Sequence, residues 1–365
     1  PPISGRSASF LFGVSCESTA TTCTTVGSYT NGTASSPLIY SSTDSGITLI
    51  DQPLNSGNLI GSLNAVTCAV GTNHCASVGS FFPHGPAANP WGYASSDAGS
   101  TWSTLDFSSI LPEFALEGNL YGIACSVNQC SAVGQYSISS TNVLPLSIAS
   151  SDGGLTWITS PVLPVLPEGG TNGTLLSVAC GKADNTSCSS VGSYNNGTHV
   201  VPLSFTSSDG GNNWTPSDTM PTIASNVSAV LHAVTCSDTG LNCTAVGIEN
   251  FSQTATIPIT FKTTDAGVVW SAPSSPDLPS LGGSPVVDGG LNAIACDAEG
   301  ISCTAVGNYL YGSRYNFNMV PLIYNSMDGG STWTVVSSIP LPSNSVNTVL
   351  NSIHCNSIKS TCSAA

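Results

Sequence analysis

Short runs of apolar and β-branched residues, separated by Gly, Asn, Asp and Ser, repeat along this chain and predict β-strands joined by turns. In one repeat the strands are expected at about Val230 to Cys236, Cys243 to Gly247 and Ile257 to Lys262, with a fourth starting near Val268. Amphipathic helical periodicity never persists for ten residues, and prolines interrupt the long connections. The pattern therefore predicts an all-β fold built from four-stranded antiparallel units.

One turn of each unit carries the same sequence motif, of the form Ser/Thr-x-Asp-x-Gly-x-Thr-Trp, and the motif occurs six times. Its aspartates are Asp44, Asp97, Asp152, Asp209, Asp265 and Asp328. Its tryptophans are Trp102, Trp157, Trp214, Trp270 and Trp333, and Leu49 takes this position in a degenerate first copy. Successive aspartates are 53, 55, 57, 56 and 63 residues apart. A near-constant period indicates a repeat protein, and four-stranded units of this length match β-propeller blades.

The repeated motif resembles the Asp-box motif, or bacterial neuraminidase repeat, and the resemblance covers nearly the whole chain. In that family the motif forms the turn between the third and fourth strands of a propeller blade. The Asp carboxylate accepts backbone N–H bonds, the Gly takes a positive φ, and the Trp packs into the blade. The resemblance implies that the six aspartates build turns and are not catalysts. The chain is identified as a member of this family, and its two arginines predict a non-catalytic one.

Fourteen cysteines form seven local pairs, each between an apolar run and a strand of small residues. The pairs are Cys16 and Cys23, Cys68 and Cys75, Cys125 and Cys130, Cys180 and Cys188, Cys236 and Cys243, Cys296 and Cys303, and Cys355 and Cys362. Two strands joined by a turn bring each pair face to face, which predicts one disulfide per blade. Thiolate metal binding is the alternative, but Cys-x-x-Cys is absent and the histidines are scattered. Neither a metal nor a cofactor is expected, and the disulfides predict an extracellular or cell-surface location.

Several Asn-x-Ser/Thr sequons accompany the cysteines and are consistent with a secreted glycoprotein. The candidates for glycosylation are Asn31, Asn172, Asn185, Asn196, Asn226 and Asn250. Two further sequons, at Asn213 and Asn242, adjoin a repeat Trp and a Cys, so crowding is expected to block them. Asn31 and Asn196 lie in Asn-Gly-Thr loops and are the best candidates.

The repeats are expected to form a single propeller domain over residues 1–365. The units lie at about residues 10–60, 61–116, 117–172, 173–228, 229–288 and 289–347, with a partial unit at 348–365. Seven cysteine pairs against six Asp boxes favour a seven-bladed ring whose last blade is incomplete. Three alternatives are open: the natural protein continues beyond Ala365, strands from elsewhere complete this blade, or six full blades form the ring with an extra hairpin. Strand donation between copies would build an oligomer or a filament.

The charge balance excludes two classes of partner. The chain has 5 Lys and Arg against 20 Asp and Glu, a net charge of −15, and 40% hydrophobic residues. Nucleic acids and anionic membrane surfaces are bound through basic residues, so neither is expected as a partner. No apolar stretch approaches the ~18 to 20 residues that span a bilayer. Membrane insertion is therefore not predicted.

Sialidase activity is the sharpest enzymatic hypothesis that the resemblance suggests. Sialidases of this family hold the substrate carboxylate with three arginines and use a Tyr/Glu nucleophile pair with an Asp acid/base. The whole chain contains two arginines, Arg6 and Arg314, so this triad cannot form. The chain is therefore predicted not to be an enzyme.

A position after the second Cys of each unit offers candidate ligand-binding residues. Most units carry an aromatic there, namely Tyr29, Phe81, Tyr136, Tyr194 and Tyr309, whereas Glu249 replaces it in one unit. The aromatics are candidates for sugar stacking or for packing between blades. A glycosidase other than a sialidase needs two opposed carboxylates, and Glu249 is the best candidate for one. The favoured function is a structural or adhesive extracellular propeller that self-associates. The alternatives are a lectin-like propeller that binds glycans and, less favoured, such a glycosidase.

Overall fold

A computed structural model of the chain shows a β-propeller. It describes residues 8–16, 21–32, 34–54, 59–69, 71–83, 85, 87–183, 186–219, 223, 227–252, 255–279, 286–313, 316–336, 348–356 and 361–365. These residues form strands, turns and loops, with one short 3-10 turn at Ser108–Ile110. The strands form six antiparallel blades and one small two-stranded sheet. None of the helices among the described residues has the length and apolarity needed to cross a membrane.

The strands follow the chain order within each sheet. Blade one contains β1 (Ala8–Cys16), β2 (Cys23–Asn31), β3 (Ala34–Ser42) and β4 (Ile50–Asp51). Blade two contains β5 (Ile60–Cys68), β6 (Cys75–Phe82), β7 (Asn89–Ser95) and β8 (Ser103–Asp106). Blade three contains β9 (Glu117–Cys125), β10 (Cys130–Ser139), β11 (Asn142–Ser150) and β12 (Ile158–Thr159). Blade four contains β13 (Thr171–Cys180), β14 (Cys188–Asn195), β15 (Val200–Ser207) and β16 (Thr215–Pro216). Blade five contains β17 (Ser228–Cys236), β18 (Cys243–Ser252) and β19 (Ala255–Thr263). Blade six contains β20 (Val286–Cys296), β21 (Cys303–Ser313), β22 (Asn316–Ser326) and β23 (Thr334–Val335), and the small sheet contains β24 (Ile353–Asn356) and β25 (Thr361–Ala364).

Blade five lacks the fourth strand that the sequence predicts near Val268. The described residues there form only single bridges, from Val269 to Thr219 and from Ser274 to Thr260. The segment 271–279 contains three prolines, and each of them removes a backbone N–H donor. The outer segment bonds to β19 on either side of Pro273, from Ser271 N to Lys262 O and from Ser274 N to Thr260 O, but forms no continuous strand, so the prediction of a regular fourth strand was wrong.

Disulfides close the turn between the first two strands of all seven sheets. The seven bonds join the cysteine pairs that the spacing predicts. The paired cysteines also face each other in the strand register, as Cys130 and Cys125 do in blade three. The predicted disulfide-stapled all-β propeller is confirmed, with six blades and a small sheet where the sequence favours seven blades. Seven disulfides indicate an oxidising, extracytoplasmic environment.

The innermost strand of every blade contains a bulge at one equivalent residue. These bulged residues are Phe12, Asn64, Tyr121, Leu176, His232 and Asn292. Beside each bulge the second strand carries the Gly of a Val-Gly pair: Gly27, Gly79, Gly134, Gly192, Gly247 and Gly307. A Cβ atom at any of these glycines would lie 1.9 to 2.0 Å from a carbonyl oxygen of the first strand. The repeated Val-Gly pair thus marks the place where two backbones approach too closely for any side chain.

Side chains at the bulges form hydrogen bonds between adjacent blades around the central channel. The donor and acceptor pairs are Asn64 Nδ2 and Leu120 O (2.8 Å), His232 Nδ1 and Leu291 O (2.9 Å), and Asn292 Nδ2 and Leu350 O (3.0 Å). In each case the acceptor is a backbone carbonyl of the neighbouring sheet, and it belongs to the residue immediately before the bulge position of that sheet. Apolar clusters fill the space between the same neighbours, as where Val191 of blade four packs in one cluster with Leu231 and Phe261 of blade five.

The small sheet closes the ring between blade six and blade one. Asn351, at the bulge position of its first strand, donates from Nδ2 to the carbonyl of Leu11 at 3.0 Å. The hydroxyl of Ser352 accepts a bond from Val14 N at 3.2 Å. The latter contact repeats a bond between blades four and five, where Ser177 Oγ accepts from a backbone N–H at the same distance. The small sheet is therefore bonded to blade one in the same way as one blade to the next.

The box tryptophans reach across to the third strand of the preceding blade. The indole N–H groups of Trp214, Trp270 and Trp333 donate to the hydroxyls of Ser147, Ser204 and Thr260 at 2.8, 3.0 and 3.2 Å. In the register, the equivalent residues in blades one and two are Ile39 and Gly92, which have no hydroxyl. Trp102 and Trp157 donate to the carbonyls of their own box glycines, Gly99 and Gly154. The tryptophan thus belongs to an interface between blades more than to its own blade.

Candidate functional site

The Asp-box carboxylates are fully occupied in holding their turns. In blade three, Asp152 Oδ1 accepts bonds from the backbone N–H groups of Leu155 and Thr156 and from the Ser150 hydroxyl, at 3.0, 2.9 and 2.8 Å. Asp152 Oδ2 accepts a bond from the Thr156 hydroxyl at 2.6 Å. The Gly two residues after the aspartate has a positive φ in every box, for example 90° at Gly154. The geometry suits a structural turn and leaves little of the carboxylate free for a substrate.

These hydrogen bonds stabilise the ionised forms of Asp328 and Asp44. The Thr332 hydroxyl is the main cause that lowers the pKa of Asp328 from 3.8 to about 2. The Thr48 hydroxyl has the same effect on Asp44, whose pKa is also about 2. A carboxyl whose pKa is lower in the folded state than in the unfolded state stabilises the fold. This stabilisation is complete when the pH is above the pKa of the unfolded state, and it is lost as the pH falls through the pKa of the folded state.

We expect Asp328→Asn to reduce the acid sensitivity of the fold. In the parent protein the melting temperature should fall as the pH is lowered from about 4 to about 2, because the box carboxylates then take up protons. The variant should melt at a lower temperature at neutral pH and lose less on acidification. Thermal melts by circular dichroism between pH 7 and pH 2 measure this. Glu113→Gln, which changes an exposed carboxyl outside the boxes, is the control, and equal acid slopes in both variants would contradict the prediction.

The candidate sugar-stacking aromatics lie under the loops that connect successive blades. Tyr309 is buried in the core of blade six beside Leu278. Tyr136 and Phe81 are half-buried against the cores of blades three and two, and Phe81 lies 5.5 Å from the ring of Trp91. A Cβ at Gly170 would touch the half-buried ring of Tyr194, and Tyr29 is likewise half-buried. The rings are distributed among separate blades, and sugar stacking on them stays a prediction.

Glu249 is the carboxylate whose environment most resembles that of a site residue. It is half-buried at the end of β18, and burial raises its pKa. The other carboxylates near strand ends have structural partners. Asp288 accepts a bond from Thr256 N at 2.9 Å, and Asp297 accepts from Ile301 N and Ser302 N at 2.8 and 3.0 Å. Glu249 therefore stands without a recognisable second carboxylate for glycoside hydrolysis among the described residues.

The glycosylation candidates fall into two groups. Asn172, Asn196 and Asn250 are exposed, and Asn196 Oδ1 accepts a bond from the hydroxyl of Thr198 in its sequon at 2.9 Å. Asn213 and Asn242 are exposed too, but their Nδ2 groups donate to the Asp209 carboxylate and to the Glu299 carbonyl. Asn185, Asn226 and both arginines, together with the side chain of Asn31, lie outside the described residues.

A cavity of about 530 Å³ occupies the end of the central channel where the disulfides lie. The last three residues of each innermost strand line it, in the order Val or Ile, a variable residue, and Cys. The variable residues are Ser15, Thr67, Ala124, Ala179, Thr235, Ala295 and His354. The turn residues Ala69, Gly71, Thr72 and Asn73 also line it, as do Lys182 and Asp238, whose Nζ and Oδ1 atoms are 3.6 Å apart. No pattern along the sequence identified these three ionisable residues as neighbours.

The opposite end of the channel is narrower, with a cavity of about 210 Å³. The bulged residues of the innermost strands surround it, among them Asn64, Tyr121 and His232. Burial lowers the pKa of His232 and raises that of Tyr121, so both are expected to be neutral at pH 7. Because several of these side chains are used in bonds between blades, this end of the channel is primarily structural.

Comparison with known proteins gives the fold and leaves the activity open. Neither a family model nor a curated protein matches the sequence. Among solved structures, YCF48 from Cyanidioschyzon merolae has 16% identity and a TM-score of 0.55 over 97% of this chain and 91% of its own. A GH74 xyloglucanase from Xanthomonas campestris has 14% identity and a TM-score of 0.59, and the match covers 99% of this chain and 51% of the xyloglucanase. This chain therefore spans about half the length of that enzyme. A Hadza microbial sialidase has 13% identity and a TM-score of 0.52 over 74% of this chain and 59% of its own. At these identities the likeness shows a shared fold, and this chain is a β-propeller similar to YCF48 and to both glycoside hydrolases.

Proposed function

We propose that this protein is a non-catalytic β-propeller of the cell exterior with a structural or adhesive role. We further propose that it self-associates by adding a strand to its small sheet, which then acts as the inner half of a seventh blade. The observation that carries the proposal is the outer edge of β25. Among the described residues β25 pairs with β24 alone, whereas the second strand of every blade pairs on both sides.

The backbone of β25 is oriented to accept a further strand. Ala365 N donates to Ser352 O at 2.9 Å, toward the inner strand. Because N–H groups alternate in direction along a strand, those of Ala364 and Cys362 face the outer edge. Exposed edges of this kind pair with strands of other chains, and strand addition is a recurrent mode of assembly.

The surroundings of the small sheet support the same proposal. The residue after the second Cys is buried at 2% exposure or less in blades one to five, as at Thr24, Ser189 and Thr244. Its counterpart in blade six, Thr304, is only half-buried. In the other blades the box of the next unit covers this residue, as Gly267 covers Ser189. A strand and turn added beside β25 would cover Thr304 in the same manner.

The residue inventory supports a role other than catalysis. The box aspartates hold turns, and two arginines in the whole chain are too few for a sialidase carboxylate clamp. Glu249 has the raised pKa of a candidate acid, without an opposed partner in the part of the chain that the structure describes. Hydrolysis of a fluorogenic glycoside that Glu249→Gln abolishes would overturn the non-catalytic assignment.

We expect purified residues 1–365 to associate in a concentration-dependent manner, and Ala364→Pro to weaken this association about tenfold or more. The substitution removes one outward N–H without touching the ladder between β24 and β25. Ala364→Val keeps the N–H and serves as the matched control. Sedimentation velocity over a concentration series, with electron microscopy of the same samples, measures the outcome.

Self-association would be refuted if the parent protein stayed monomeric over the whole concentration series. It would also be refuted if the proline and valine variants associated equally. Circular dichroism and thermal melts of the three proteins establish that each one is folded, so that a difference in association reports on the edge of β25.

A further inference from the structure

We propose that the disulfide end of the central channel is a binding site for a small organic carboxylate, of about the size of a sugar acid. Lys182 and His354 would hold the carboxylate group, and the channel wall would take the rest of the ligand. This site lies apart from the edge of β25, so the inference goes beyond the proposed assembly and does not depend on it.

The cavity has the size and lining of a ligand pocket. Its volume of about 530 Å³ lies within the range of roughly 300 to 1,000 Å³ that is usual for small-molecule sites. Seven Val or Ile side chains form an apolar ring, and the hydroxyls of Ser15, Thr67 and Thr235 lie above it. Apolar walls with a few convergent polar groups are typical of such sites.

Lys182 brings a positive charge to a chain that has few of them. It is one of 5 basic residues against 20 acidic ones, and it lies at the mouth of the channel. Its contact with Asp238 is 3.6 Å long, which exceeds hydrogen-bond length. Both side chains are nearly half exposed, at 46% and 41%. This exposed ion pair is weak, so a ligand carboxylate can compete with Asp238 for the N–H donors of the ammonium group.

His354 lies on the opposite side of the channel from Lys182. The small sheet and blade four are three positions apart in a ring of seven sheets. The other six sheets have Ser, Thr or Ala at the position of His354, so the imidazole is the one large polar group in this layer. Its ring has no hydrogen-bond partner among the described residues. Burial, and next the charge of Lys182, lower its pKa from 6.5 to about 4.

The two groups together select an anion. Lys182 and His354 line the same cavity, so the ammonium and the imidazole face one enclosed space. A carboxylate placed between them would accept N–H bonds from both and would relieve their mutual repulsion when His354 is protonated. Besides His354, Lys182 and Asp238 are the ionisable groups that line this cavity in the described chain. Binding should therefore tighten as the pH falls from 7 toward the pKa of His354 near 4, with the first part of the change reached at pH 5, where a sugar carboxylate is still ionised.

Calorimetry with glucuronate, and with glucose as the neutral control, tests the site. Glucuronate should bind more tightly at pH 5 than at pH 7, and glucose should not bind. In spectra of protein with labelled histidine, glucuronate should raise the pKa of His354 by about 1. Equal binding of the two sugars, or an unchanged titration of His354, would overturn the proposal.

Three variants separate the channel from a general charge effect. Lys182→Gln should weaken glucuronate binding about tenfold, because a charge-assisted bond is lost. Lys262→Gln removes the same charge from a residue that bonds Ser331 outside the channel, and it should bind as the parent does. Asp238→Asn should bind glucuronate more tightly, since it releases Lys182. If the two lysine variants bound equally, the site would be refuted.

His354→Thr tests the pH dependence without disturbing the fold. Threonine stands at this position in blades two and five, as Thr67 and Thr235. The variant should lose the tightening between pH 7 and pH 5 while it keeps the melting temperature of the parent within a few degrees. If it kept the full pH dependence, His354 would have no part in binding.

Discussion

Gly134→Ala is expected to prevent the propeller from folding. The added Cβ would lie 1.9 Å from the carbonyl oxygen of Asn119, an atom of the backbone that cannot rotate away. Relief would require blade three to lose its bulge or to part its first two strands. We expect a loss of more than about 4 kcal/mol of stability, in the range where single substitutions unfold a domain. Soluble yield and urea denaturation measure it.

Gly169→Ala is the control for the conformational freedom that any glycine contributes. Unlike Gly134, Gly169 has a positive φ, of 76°, and a Cβ added there would meet nothing within 4 Å. The left-handed conformation alone costs about 1 to 2 kcal/mol for alanine. If both variants lost the same stability, the close approach of the two backbones at Gly134 would not be the cause.

Reduction of the disulfides is expected to unfold the protein at room temperature. Each bond closes a loop between cysteines that are 5 to 8 positions apart. In the chain-entropy model such a closure contributes about 2.5 kcal/mol, so several together approach the whole stability of a typical domain. Circular dichroism after equilibration with dithiothreitol in mild urea should show the loss of strand signal. Mass spectrometry of alkylated samples counts the bonds that were reduced.

The double substitution Cys125→Ser and Cys130→Ser gives the matched single-bond measurement. It removes one staple and should lower the stability by about 2 to 5 kcal/mol while the remaining bonds hold the ring. A fully reduced protein that melted at the temperature of the oxidised one would show that the bonds contribute little to stability.

Local features of the chain were predictable because they depend on residues close in sequence. The alternation of apolar residues, the cysteine spacing and the box motif each describe one hairpin or one turn. These three patterns were sufficient to predict the propeller fold and its disulfides. They also showed one cysteine hairpin more than there are boxes, and this hairpin corresponds to β24 and β25.

Contacts between blades were not predictable from the same patterns. Lys182 and His354 line the same cavity because their sheets stand opposite each other in a ring, and no spacing in the sequence encodes that. The Val-Gly pair was visible as a repeat, but its cause is a bulge in the facing strand. The outer segment of blade five contains three prolines and forms no continuous strand, although it begins with suitable β-branched residues.

The tryptophan contacts make the order of the repeats part of the structure. Trp214 finds its acceptor at Ser147 because blade three precedes blade four, whereas Trp157 follows a blade with Gly92 at that position and uses its own turn. If blades two and three were exchanged by gene shuffling, the indole of Trp214 would face a glycine and lose its hydroxyl partner. Units that look alike in sequence are thus matched to their predecessors and are not interchangeable modules. In a designed propeller assembled from copies of one unit, a Ser or Thr at the Ser147 position in every copy would give each indole N–H a hydroxyl partner in the preceding blade.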